Sequence, residues 1–277
     1  MRIGTRGSAL ALAQATPLAE TLGGELVVIT TAGDRDRAAG DKGRWVGELE
    51  RALLDGEIDL AIHSAKDVPA ELAAGTELLG SPPRADPRDA LCGAASLDTL
   101  AEGARVGTAS LRREAQLRAL RPDLDVAELR GNVDTRLRRL AAGDFDAIVL
   151  AAAGLERLGR GGEGVPLDQL VPAAGQGVLA LQVRAGERFD VASDEATTLA
   201  LQCERALVRA LEADCDTPVG AFAEVGAGGE LTLSAFVGRA DGSAWIRDEH
   251  TGSDPSSLGA EVGARLLAAG AAEILGR

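Results

Sequence analysis

The chain has 277 residues, 45% hydrophobic and 26% charged, too long for one ordinary core and suited to two or three folded domains. Its formal charge of -14 and its pI near 4.7 argue against a general nucleic-acid binder. No window of eighteen apolar residues offers a membrane span, and Met1-Arg2-Ile3-Gly4-Thr5-Arg6 opens no apolar signal core, so a cytoplasmic protein is expected.

Ser8 is placed to cap a helix through Ala9–Gln14, and Glu25–Thr30 reads as a buried strand. A helix from about Trp45 to Leu54 stops at Gly56, and Ile58–Ile62 is the next strand. The cluster Ser81-Pro82-Pro83-Arg84-Ala85-Asp86-Pro87 breaks the pattern and marks a domain boundary. The same grammar then resumes. Arg105–Thr108 leads into a helix capped by Ser110, Leu124–Leu129 is a strand, Asn132 caps a helix running to Gly143, and Asp146–Leu150 is a strand. Short strands separated by helices of about ten to fifteen residues predict parallel sheets of the α/β class. Val178–Val183 follows Gly175-Gln176-Gly177 as a strand. The last third changes character. A helix near Glu195–Glu212, strands at Ala221–Val225, Leu231–Val237 and Ala244–Asp248, and a final helix over Ser256–Leu275 predict a separate α+β domain.

Three cysteines without CxxC spacing and two distant histidines, His63 and His250, exclude an obvious metal site and a disulfide framework. Lys42 and Lys66 are the only lysines; the other 27 of the 29 basic residues are arginines, whose fork suits carboxylates and phosphates. In open sheets, ligands bind beyond the carboxyl ends of strands, where helix N-termini expose backbone N–H groups. Thr5–Ser8, His63–Asp67, Thr108–Arg113 and Arg130–Arg136 fall at such places and together suit a polyanionic ligand. Arg112 and Arg113 occupy the first turn of a helix, where the macrodipole disfavours cations, so a ligand role competes with a solvated arginine face. Asp67 stands among cations, either as an ion-pair partner or as a group that steadies a cation and moves protons. Cys215 lies in a polar turn, an unusual place for a free cysteine, whereas Cys92 and Cys203 read as core. Gly159–Gly164 lacks the strand–helix setting of a phosphate loop, which disfavours a nucleotide-dependent enzyme.

Six ordered motifs carry a resemblance to one family. They are Thr5-Arg6-Gly7-Ser8 with Leu10-Ala11-Leu12 and Gln14; His63-Ser64-Ala65-Lys66-Asp67-Val68-Pro69; Asp86-Pro87-Arg88-Asp89-Ala90; Gly107–Arg113; Leu129–Val133; and Gly175-Gln176-Gly177. Over essentially its whole length the chain resembles the hydroxymethylbilane synthase, or porphobilinogen deaminase, family. The resemblance implies two periplasmic-binding-protein-like (type II) α/β domains with a cleft between them, 1–83 with 178–193 and 88–173. It adds a C-terminal α+β domain with a small antiparallel sheet, 195–277. It implies a transferase that joins four porphobilinogen molecules head to tail with loss of ammonia and releases linear hydroxymethylbilane by hydrolysis, in tetrapyrrole biosynthesis. It implies a dipyrromethane cofactor on a thioether to Cys215, Asp67 as the catalytic carboxylate, and a monomer with neither nucleic-acid nor membrane partner. The substrate and cofactor carboxylates would be held by Arg6, Ser8, Lys42, Ser64, Lys66, Thr108, Ser110, Arg112, Arg113, Arg130, Gly131, Asn132, Arg136, Arg157 and Gln176.

The sequence departs from the family at Asp214, where glycine usually precedes the cysteine, and in the shorter segment 31–43 followed by Arg44-Trp45. That segment resembles the family's active-site lid, with Trp45 as its aromatic. The competing reading is a non-catalytic anion-binding or sensor protein built on the same cleft, for which the third domain and Cys215 have no use.

Overall fold

The computed structural model describes residues 1–31, 43–191, 193–214 and 217–277, with side chains in the second helix described from Val46 onward. The first lobe is built on β1 (Arg2–Arg6), α1 (Ala9–Thr21), β2 (Glu25–Ile29), α2 (Gly43–Leu54), β3 (Leu60–Ser64) and β4 (Thr76–Gly80). The second contains β5 (Asp89–Cys92), β6 (Arg105–Thr108), α3 (Leu111–Leu120), β7 (Asp125–Glu128), α4 (Val133–Ala141), β8 (Ala147–Ala151), α5 (Ala152–Arg157) and β9 (Val165–Leu167). The chain then returns to the first lobe through β10 (Leu179–Arg184).

The two sheets share one topology, β2-β1-β3-β10-β4 and β7-β6-β8-β5-β9. In each, the strand that follows an interlobe crossing runs antiparallel to its neighbours: β10 against β3 and β4, β5 against β8 and β9. The sheets are therefore mixed, which corrects the expectation of parallel ones. Local patterning found the βαβ units, but a strand direction set by a chain crossing leaves no local mark. Two such lobes joined by two crossings form the type II periplasmic-binding-protein arrangement. The sequence reading names no strand at β1, β4, β5 or β9; each is short, and β5 begins with a charged residue, Asp89.

The remaining residues pack α6 (Glu195–Ala210) and α7 (Pro255–Ala268) onto the antiparallel sheet β11 (Val219–Val225), β12 (Leu231–Gly238) and β13 (Trp245–Gly252). Leu207, Leu231, Leu233, Val237 and Val262 fill its core without solvent exposure. The predicted final helix is two, α7 and α8 (Ala271–Ile274), because Gly270 turns the chain at φ +98°.

Candidate active site

Helix starts and strand ends converge between the lobes. Ser8 caps α1 by accepting from Ala11 N at 3.2 Å, Ser110 caps α3 from Arg113 N at 3.4 Å, and Asn132 caps α4 from Thr135 N at 2.9 Å. Capping uses acceptor lone pairs, so the hydroxyls of Ser8 and Ser110 keep their O–H for a ligand. A single 3-10 turn, Ala65–Asp67, extends from the end of β3. Two chambers meet there. One, of about 390 Å³, lies between the lobes and is lined by Arg6, Ser8, Ser64, Arg130, Gly131, Asn132 and Arg157 among others. The second, of about 370 Å³, is lined by Ser110, Arg112 and Gln176 and runs to Asp214 and Thr217, the residues flanking Cys215 and Asp216. Lys66, Asp67, Arg113 and Arg136 line both.

Asp67 is half-buried at this junction, and among the described residues none hydrogen-bonds or ion-pairs with its carboxylate. Around it the cations divide into two groups. Arg112 and Arg113 are buried rather than on a solvated face, and both grip Asp89: Arg112 with Nη1 at 2.8 Å and Nη2 at 3.1 Å, Arg113 with Nε at 2.8 Å. Burial opposes a charge on Asp89, yet the two guanidiniums outweigh it and hold its carboxyl well below the usual carboxylate range. Two cations against one anion leave a positive balance facing the chambers. Arg130, on the rim, is paired with Glu128 at 2.6 Å. Among the described residues Arg136 and Arg157 instead donate only to main-chain carbonyls, Arg136 Nε to Gly131 O at 2.8 Å and Arg157 Nη2 to Gly177 O at 2.7 Å. Burial and neighbouring Arg113 lower the Arg136 guanidinium to about 10, the mark of a cation without a counter-charge. Burial, with Arg113 beside it, likewise lowers the Lys66 amine to about 8. Lys66 Nζ reaches Gln176 Oε1 at 3.5 Å.

Thr108 is the predicted ligand residue that faces neither chamber: it is buried and its Oγ1 accepts from Ser110 N at 3.2 Å. Its hydroxyl oxygen thereby supports the turn that leads into α3. Gln176 is buried, and its Nε2 donates to Asp89 Oδ1 at 2.9 Å and Pro87 O at 2.7 Å, so most of its capacity goes to the protein. Lys42, Cys215 and the Trp45 side chain lie outside the described residues. Asp214 accepts from Thr217 Oγ1 at 2.5 Å, and Thr217 Oγ1 accepts from Asp214 N at 3.0 Å, so the two residues are tied to each other.

The sequence reading missed the roles of Asp89 and Glu204. Asp89 carried a signal, an acid opening the apolar run Ala90-Leu91-Cys92. Glu204 is fully buried on α6, between Cys203 and Arg205, and nothing local distinguished it from a solvated acid.

A cleft between two lobes, lined by cations around a carboxylate without a partner among the described residues, suits an enzyme that acts on an anionic substrate. Residues 1–191 match the family model for the porphobilinogen deaminase dipyromethane cofactor binding domain, and residues 198–268 match that for the porphobilinogen deaminase C-terminal domain. Curated relatives named porphobilinogen deaminase include those of Brevibacillus brevis, 44% identical over 99% of this chain and 96% of that one, and Rubrobacter xylanophilus, 47% identical with the same coverage. That of Deinococcus radiodurans is 45% identical over 99% and 97%. The chain belongs to the porphobilinogen deaminase family. Similar solved structures include a second substrate binding domain of a putative amino acid ABC transporter from Streptococcus pneumoniae, at 15% identity and TM-score 0.41, covering 68% of this chain and 86% of that one. No helix among the described residues is long and apolar enough to cross a membrane.

Proposed function

We propose that this chain performs the family's reaction, hydroxymethylbilane synthesis, at the junction of the two chambers, with Asp67 as its catalytic carboxylate and Cys215 as the cofactor attachment point. The observation that carries the assignment is the half-buried Asp67 carboxylate, without a partner among the described residues and open both to the interlobe chamber and to the one that reaches Asp214 and Thr217. The second chamber suits a dipyrromethane bearing several carboxylates: Lys66, Arg112, Arg113 and Arg136 line it, and the O–H of Ser110 adds a neutral donor. Bound there, the cofactor supplies the pyrrole carbon on which the chain grows.

The protein's part is electrostatic. Porphobilinogen carries acetate and propionate groups, and each charge-assisted contact contributes about 1.5–3 kcal/mol. Arg136 and Arg157, which spend only one hydrogen bond each on main-chain carbonyls, are the strongest candidates, with Arg6, Ser8, Ser64, Arg130, Gly131 and Asn132 completing that wall. When the C–N bond of the aminomethyl group breaks, its electron pair leaves with ammonia and the pyrrole nitrogen becomes electron-poor. The Asp67 carboxylate accepts that N–H, stabilises the positive charge and takes or returns the proton. An amide in its place would keep the shape and lose the charge.

Residues 1–83 with 178–193, 88–173 and 195–277 serve as the working domains, a division supported by the three separate sheets. A cytoplasmic monomer is the state that the resemblance to the family implies.

Two measurements test this reading. The intact mass of the purified protein should exceed that of the polypeptide by two porphobilinogen units after ammonia loss, and Cys215→Ser should remove the excess. A bare mass that persists after incubation with porphobilinogen would favour the non-catalytic binding protein instead. Asp67→Asn should lower kcat by about 10²–10⁴-fold, the usual worth of a positioned acid–base group, with KM little changed. Near-normal turnover would remove Asp67 from the chemistry.

A further inference from the structure

A separate cavity of about 120 Å³ lies in the seam between β4 and helices α6 and α7, and shares no lining residue with either cleft chamber. Its volume is well above the roughly 10–15 Å³ that one water needs. Arg205 and Arg209, four residues apart on α6, both line it. Like charges at that spacing repel and destabilise a helix. Arg205 is only 9% exposed, and its guanidinium donates to three main-chain carbonyls, Val68 O at 3.4 Å, Pro69 O at 2.8 Å and Ala70 O at 2.8 Å. Among the described residues no carboxylate ion-pairs with either arginine. Carbonyl dipoles satisfy N–H groups but do not neutralise a buried cation, which is costly when unpaired.

Two acids bear on the seam and neither lines the cavity. Glu71 acts on Arg205 through its charge, and the Asp254 carboxylate is spent on capping α7 at Ser257 N, 2.7 Å away. The remaining polar lining is neutral, with Ser81, Gln202 and Ser256 prominent. Burial and Arg209 together outweigh Glu71 and pull the Arg205 guanidinium down to about 10. One buried arginine, Arg205, and one exposed arginine, Arg209, line the cavity with hydroxyl and amide groups and without an acid, a donor set suited to an oxyanion.

We propose that this seam cavity binds a small free oxyanion of the phosphate class, and that its occupancy is transmitted to the Asp67 segment. The link is direct: Arg205 holds the three residues that follow Asp67. Only this coupling rests on the functional reading above; the binding site stands without it.

The test titrates the holoenzyme with inorganic phosphate by calorimetry, ionic strength being held constant with potassium chloride. Arg209→Ala and Arg136→Ala are compared with the wild type. Saturable binding weakened at least tenfold by Arg209→Ala and retained by Arg136→Ala is the expected result. Loss in Arg136→Ala with retention in Arg209→Ala would put the ion in the cleft and overturn the proposal, as would no saturable binding in the wild type. Phosphate should also slow hydrogen exchange at the amides of Val68 and Ala70 in the wild type and not in Arg209→Ala. Unchanged exchange at bound phosphate would overturn the coupling. Neither readout depends on whether Asp67→Asn turns over.

Discussion

Asp89 shows how one buried acid organises cations that are needed elsewhere. It is fully buried between Arg112, Arg113 and Gln176, and its charge fixes both guanidiniums in the wall of the chamber that reaches Asp214. Removing one partner of such a cluster leaves buried charge uncompensated, so Asp89→Asn should lower stability by about 3–5 kcal/mol, read from the denaturation midpoint. The pH dependence has a definite sign. Because the folded state depresses this carboxyl's pKa, its contribution is complete above the unfolded value near 3.8 and declines as the pH falls below it. The variant should therefore flatten the wild-type loss of stability below about pH 4. An unchanged acid limb would mean that the arginines are held by other groups. At this scale the sequence exposed the cations and Asp67 but not Asp89's use, since pairing across 23 residues leaves no spacing pattern.

The elements that carry the site were legible where capping or periodicity marked them. Ser8, Ser110 and Asn132 start their helices as expected, and the strand beginning at Glu25 ends one residue early. The strand expected at Ile58 begins instead at Leu60, because pairing with β1 starts at Ile3 against Leu60. The return crossing shows the constraint most sharply. Gly177 has φ +86°, and a Cβ there would collide with Ala85 O on the outgoing crossing. Its carbonyl also receives Arg157. Gly177→Ala should cost at least about 1–3 kcal/mol and raise KM, because the two crossings and Arg157 shift together. Wild-type stability and KM would show that the crossing relaxes freely.

Across the whole molecule, Glu204 ties the third domain to both crossings. Its carboxylate accepts from Arg84 Nη1 at 2.6 Å on the outgoing crossing, from Gly175 N at 2.6 Å on the return, and from Ala223 N at 2.9 Å on β11. Arg84 Nε in turn donates to Gln176 O at 2.9 Å. The domain carrying Cys215 is thereby fastened at the point about which the lobes would move. Glu204→Gln should destabilise by about 3–5 kcal/mol and speed hydrogen exchange at the amides of Gly175 and Ala223. Protection equal to the wild type at both amides would show that apolar packing alone holds the joint.

By itself the sequence determined the alternating α/β grammar, the change to α+β near residue 195, and the residue types able to hold a polyanion. Those properties are written in periodicity, caps and short ordered motifs, which are local. Only the tertiary structure decided the mixed strand directions and which arginines retain free capacity. It also left Thr108 out of both chamber walls and set Asp67 in both. Each of these depends on groups brought together by chain crossings from distant parts of the sequence, where charge, burial and hydrogen-bond geometry are settled jointly.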